Sequence, residues 1–162
     1  MNRKSRTIPT VRGSVIAALY VVLTLLSAAF GLSSGAIQLR LSEALTVLPY
    51  FLPEAIPGLA IGCFLANLIV TGNILDLVFG TLATLLGAIG ARLLRRRRFL
   101  VPLPTVLANA AIIPPVLILG FDVPESYPFL LATVTLGEVL SAYVLGMLLL
   151  ATLEKRCKGL FT

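Results

Sequence analysis

The stretch IQLRLSEALTVLPYF, residues 37–51, decides how the chain is read. It sets Gln38, Arg40 and Glu43 at the mouth of an apolar run that ends near Leu52, where Pro53 follows. Wound as an α-helix at 1.5 Å per residue, that run reaches ~18 Å, short of the ~30 Å hydrocarbon core of a bilayer. Such a segment must tilt, or stop part way in a cavity lined by protein. Arg40 and Glu43 have the spacing of a helical surface pair on an outer rim. Surface pairs contribute little to stability, so this pair asks for another reason.

Working outward, the chain of 162 residues is 58% hydrophobic and 12% charged. A soluble domain of this length cannot bury that much apolar surface. Six apolar segments can be drawn, at roughly 13–30, 41–52, 55–71, 74–94, 101–120 and 129–153. Pro53, Pro57, Pro102, Pro104, Pro124 and Pro128 stand at the joints, where helices start or stop. The expected fold is an all-α membrane protein, a bundle of six transmembrane helices with a short second helix. Residues 1–12 are then a basic N-terminal arm, 13–153 the six-helix domain, and 154–162 a basic tail. The first segment opens basic and closes on small residues, as a signal peptide does. Its apolar run is too long for one, so it is expected to be retained.

The net charge is +6, from thirteen Lys and Arg against seven Asp and Glu. The cations cluster at the N-terminus, at Arg92 and Arg95 to Arg98, and at Lys155, Arg156 and Lys158. Cytoplasmic loops are rich in Lys and Arg. Six crossings put all three clusters on one side, so both termini are expected to be cytoplasmic. Arg40 alone then falls on the outer side. Cations gathered at segment ends do not make a nucleic-acid face. Histidine, the commonest metal ligand, is absent. Cys63 lies in an apolar helix and Cys157 in the basic tail, which argues against a disulfide between them. No metal or cofactor is expected. No phosphate-binding loop, H-E-x-x-H or G-x-S-x-G motif occurs, so the chain is not expected to be an enzyme.

Polar residues inside the apolar segments are the site candidates. Glu138 lies near the middle of the last segment, in a polar stripe with Thr135 and Ser141. A carboxylate there is costly and is expected to serve a ligand or an ion. Asn67 and Asn109 each offer donors and an acceptor, Asn67 being the better ligand candidate. Asn73 reads as an N-cap, with Asp76 in the first turn of the fourth helix; Asp76 also lies where it can face a pocket beneath the outer loop. Gly58, Gly62 and Ala66, then Ala83, Gly87 and Ala91, then Gly137 and Ser141 recur at four-residue spacing, as in helix packing. Ser14, Ala18 and Val22 form a weaker stripe, suited to packing or to a partner membrane protein. Glu54, after Pro53, reads as an ordinary helix start. The arginine run reads as a topology signal.

The stretches RLSEALTVLP and AIPGLAIGCFLANL, followed by GNILDLVFGTLATLLGA, resemble the QueT family. Its members are substrate-binding S components of energy-coupling factor (ECF) importers. The resemblance covers roughly residues 13–153 and is strongest over 38–88. It implies a six-helix bundle in the bacterial cytoplasmic membrane that captures queuosine or a 7-deazaguanine precursor from outside. It also implies a transmembrane T component and two cytoplasmic ATPase subunits as partners. The first helix of such proteins meets the T component through an alanine-rich motif; here Ser14, Ala17, Ala18 and Val22 take that place. A strict Ala-x-x-x-Ala is missing, since Val21 and Val22 stand where the second alanine belongs.

A guanine-like base offers adjacent N–H donors to a carboxylate and a carbonyl to an amide or guanidinium. Glu43, Asp76 and Glu138 supply acceptors, and Gln38, Arg40 and Asn67 supply donors. Tyr143, Tyr50, Phe51 and Tyr127 are candidates for stacking. The site is expected between the outer halves of the third to sixth helices, beneath a lid around Gly35 to Arg40. Other readings of the same residues are an S component for another vitamin-like nutrient, a stand-alone ion-coupled carrier using Glu138, and a membrane scaffold.

Overall fold

The computed structural model describes residues 3–32 and 39–156, with side chains from residue 7 onward. It is helical throughout, with no strand among the described residues. We number six helical segments: α1 (Arg3–Ala29), α2 (Leu41–Tyr50), α3 (Ala55–Val70), α4 (Asp76–Leu93), α5 (Leu103–Phe121) and α6 (Tyr127–Arg156). Four of the helices are long and apolar enough to cross a bilayer, and α3 is a shorter apolar helix. Large apolar side chains such as Ile61, Ile69, Leu107, Leu119, Leu136 and Leu148 are exposed. Such an apolar outer surface belongs in lipid rather than in water. The segments fall close to their expected places. One difference is α1, which starts at Arg3 and runs through Pro9, so the basic arm is helical rather than a separate tail.

The short segment resolves its own length problem. α2 is wound as a 3₁₀ helix over ten residues. At ~2.0 Å per residue this spans about 20 Å, against about 15 Å for an α-helix of the same length. A 3₁₀ helix also eclipses side chains three apart. The ridge Glu43, Thr46 and Pro49 is wholly buried, as are Ser42 and Leu45 of the next ridge. α2 is therefore a central strut, packed against α1, α3, α4 and α6. Runs of this kind are rare because their hydrogen bonds are poorly aligned; here packing on several sides offsets that loss.

Two other helices depart from the α form. α4 opens with a π turn at Asp76–Gly80, and α6 carries one at Val139–Leu145. A π turn absorbs about one extra residue. In a straight α-helix, Glu138 and Gly146 would point about 80° apart, at 100° per residue. The π turn brings both toward α2. There Gly146 lies so close that a β-carbon on it would meet Val47 Cγ1 at 2.9 Å.

The small-residue faces pack the bundle. α1 and α3 make the closest pair through Gly13, Ala17, Gly58 and Gly62. A β-carbon on Gly58 would lie 2.5 Å from the Gly13 carbonyl oxygen. Ala83, Gly87 and Ala91 are buried on α4, and Gly87 lies against Thr105 of α5. Cys63 is buried as a free thiol, while Cys157 lies outside the described residues. Because the neighbour of Gly58 is backbone, Gly58→Ala cannot be relieved by a side-chain rotation. We expect it to destabilise the protein by about 1–3 kcal/mol. Leu107→Ala on the lipid-facing surface should leave stability nearly unchanged. Thermal unfolding of both variants in one detergent checks this.

Candidate functional site

Polar side chains from all six helices meet in the apolar bundle. Arg40, just before α2, is 8% exposed, and its guanidinium points inward. Its Nη2 pairs with Asp76 Oδ2 at 3.5 Å, and its Nη1 donates to Asn67 Oδ1 at 3.2 Å. Asn67 in turn donates from Nδ2 to the Asp76 carbonyl at 3.0 Å. Thr71 Oγ1 donates to Asp76 Oδ2 at 3.1 Å. The π turn of α4 positions this corner, and Gly80 leaves room for it. A β-carbon there would lie 2.8 Å from Asn67 Nδ2 and 2.9 Å from Asp76 Oδ1. Asn73 is the expected cap, its Oδ1 accepting from the Leu75 and Asp76 amides at 2.9 and 3.4 Å. Its Nδ2 also donates to the Gly120 carbonyl and ties α4 to the end of α5.

Glu43 is 1% exposed, one 3₁₀ turn below Arg40. The outer-rim pair expected from their spacing does not form, because α2 is sheathed by its neighbours. Arg40 turns to Asp76 instead, and Glu43 Oε1 accepts from the Tyr20 hydroxyl of α1. Ser42 accepts from Thr24 at 2.8 Å, and the Leu41 amide donates to Ser27 Oγ at 3.0 Å, fastening the head of α2 to α1. Asn109 of α5 and Glu138 of α6 are 4% and 6% exposed. Asn109 lies beside both carboxyl groups, and Glu138 faces Glu43 closely enough for their charges to interact.

The network is incomplete. Arg40 Nε, Glu43 Oε2, Asn109 Nδ2 and Glu138 Oε2 are buried with no hydrogen-bond partner. An unmet buried polar atom costs about 1–3 kcal/mol, and native proteins hold few of them. Two donors and two acceptors collected in one place match a polar ligand. Three carboxyl groups also face one guanidinium, which suits a ligand carrying positive charge.

Arg40, Glu43, Asn67, Asp76 and Glu138 thus converge as a set. Tyr143 is half-buried, and among the described residues no hydrogen bond joins it to the network. Gln38 and most of the expected lid lie outside the described residues; Arg40 itself is buried as part of the network rather than lying over it. Tyr50 and Phe51 sit at the opposite end of α2, beside Arg92 and Glu154, and Tyr127 is 45% exposed. The length of α2 therefore removes Tyr50 and Phe51 from the stacking role. Tyr20 and Asn109 are the members that sequence reasoning undervalued. A tyrosine in an apolar helix reads as core, and only the partner across the bundle reveals its function.

On the outer side of α1, a groove of about 590 Å³ runs between α1 and α3. Ser14, Ala17 and Ala18 line it with Gly58, Ile61 and Leu65. Val22 is exposed farther along α1, and Ala17 is mostly turned inward against Gly62. Arg12 and Glu54 pair at 3.4 Å near one end of the groove.

The sequence profile of one family, described as QueT transporter, matches residues 10–155. The chain belongs to the QueT transporter family. A relative from Lactococcus lactis subsp. cremoris (strain MG1363), named queuosine precursor transporter QueT, is 35% identical over 91 residues. That match takes in 52% of this chain and 54% of the relative, so the chain spans about half the length of the relative it matches. No solved structure matches. Family membership and the apolar helices together make this a multi-pass membrane protein.

Removing one partner of a buried ion pair strands the other, at about 3–5 kcal/mol. Arg40→Ala should therefore destabilise the bundle by that order. The double variant Arg40→Ala/Asp76→Ala should regain a clear part of the loss. A double-mutant cycle on thermal stability reads the coupling directly.

Proposed function

We propose that the protein is the membrane-embedded substrate-binding component of an ECF-type importer and captures a 7-deazaguanine precursor of queuosine from outside the cell. The observation that carries this reading is the set of four unpartnered buried atoms on Arg40, Glu43, Asn109 and Glu138. The Glu43 and Glu138 carboxylates would accept the adjacent N–H donors of the base. Arg40 and Asn109 would donate to its carbonyl edge. Asp76 and Asn67 hold Arg40 in place, so they act as positioning residues in this arrangement. The surplus of carboxyl groups favours precursors that carry an amine. Family membership supports the transport role, and the relative's printed name supports the class of cargo.

The basic residues Arg12, Arg92 and Arg98 all contact the far end of the bundle, through Glu54, the end of α2 and Glu154. The charge rule supports a cytoplasmic position for that end; both termini would then lie inside and Arg40 toward the outer face. The groove along α1 and α3 is the surface offered to a T component, which would couple the bundle to two ATPases. Arriving from outside, the ligand would enter from the Arg40 end of the bundle.

Binding to the purified protein tests the reading. Calorimetry should detect binding of a 7-deazaguanine base bearing an aminomethyl group and little or none of adenine. Each charge-assisted hydrogen bond lost from a buried site is worth about 1.5–3 kcal/mol, so Glu138→Gln should weaken binding roughly 10- to 100-fold while the protein keeps its fold. If no 7-deazaguanine binds and a vitamin does, the cargo is wrong and the S-component assignment stands. If the base is taken up by vesicles holding this chain alone, driven by an ion gradient, the ECF assignment fails.

A further inference from the structure

A second collection of unmatched charge lies at the other end of the molecule. A cavity of about 430 Å³ is lined by Tyr50, Phe51, Arg92, Arg95 and Arg96. Arg92 is half-buried and fixed: its Nη1 donates to the Pro49 and Tyr50 carbonyls at 3.0 and 3.2 Å. It thereby satisfies two of the last carbonyls of the 3₁₀ helix. Arg95 and Arg96 are exposed and pair with no carboxylate among the described residues. The Glu154 carboxylate at this end is already engaged. Glu154 accepts from the Tyr50 hydroxyl at 2.9 Å through Oε1 and pairs with Arg98 at 3.2 Å through Oε2. Three arginines therefore line a cavity that no carboxylate lines among the described residues.

A topology signal needs positive charge on a loop; it does not need arginines gathered along one cavity. Arginine forks match the oxygens of a phosphate group two at a time. The depth of the cavity is informative as well. α4 ends at Leu93, which is 76% exposed, and Phe99 just beyond the run is 66% exposed. Arginines that follow directly on the end of an apolar span belong at the membrane interface, which sets this cluster at headgroup level. Basic pockets between helices on the cytoplasmic side suit anionic headgroups. The geometry points to a binding site for a phosphate group in this cavity, with the headgroup of an anionic phospholipid as the form its depth favours.

Native mass spectrometry of the full chain in a neutral detergent tests this. Titration with phosphatidylglycerol should give one retained adduct, and phosphatidylcholine should be retained far more weakly. Arg95→Gln/Arg96→Gln should lower phosphatidylglycerol retention at least roughly tenfold, as expected for losing one or more charge-assisted contacts. Should the double variant fold poorly, Arg96→Gln alone is read in the same way. Inorganic phosphate, added separately, distinguishes the source. Failure to displace the lipid identifies a headgroup site, and displacement identifies a site for soluble phosphate. Equal retention by parent and variant, or equal retention of the two lipids, would overturn the proposal.

Discussion

The pairing of Arg40 with Asp76 inside an apolar bundle is the interaction on which the rest depends. Neither charge can remain in hydrocarbon without the other, so the segments that carry them must meet. Asn67 closes the same knot by accepting from Arg40 and donating to the Asp76 backbone. The head of α2, the C-terminal part of α3 and the first turn of α4 are therefore fixed relative to one another. Gly80 is the spatial condition for it, since any side chain there would displace the amide and the carboxylate together. Once Arg40 is committed to Asp76, Glu43 is left for Tyr20.

The two ends of α2 show the same physics with opposite signs. At its head, carboxyl groups outnumber the guanidinium and several buried atoms lack partners. At its foot, arginines outnumber carboxylates, and Arg92 closes the last turn. The strut between them is apolar and tightly packed, with Val47 and Leu45 buried. A short helix can keep two such different environments apart only because a 3₁₀ winding lengthens it. The same winding sets Tyr50 and Phe51 against the basic end rather than among the buried polar groups at the head.

Much of this was legible in the residues. Apolar runs, proline joints and clustered cations gave six segments close to those observed, and the four-residue recurrence of Gly58 and Gly62 marked a packing face on α3 without naming α1 as its partner. Arg40, Glu43, Asn67, Asp76 and Glu138 stood out because each is a polar group where only apolar ones are inexpensive. Their pairings were not legible. Spacing along one helix suggested Arg40 with Glu43, while the partners actually chosen lie across the bundle, where chain separation carries no information. Tyr20 and Asn109 were undervalued for the same reason, and the 3₁₀ and π windings escaped because apolar patterning is read against a period of 3.6.

The π turn between Glu138 and Gly146 has a consequence for how such chains can change length. The helix there carries a surplus residue, and that surplus is what lets a carboxyl group and a glycine eight positions apart confront the same strut. Loss of a single residue from 139–145 would leave an unbroken, well-formed helix of ordinary hydropathy. It would also swing everything on one side of the gap by about a quarter turn, aiming Glu138 at lipid or prising Gly146 from Val47. Chain length in this region thus sets where the Glu138 carboxyl group points. A gap opened here in an alignment signals a re-aimed carboxylate, even where every neighbouring letter is preserved.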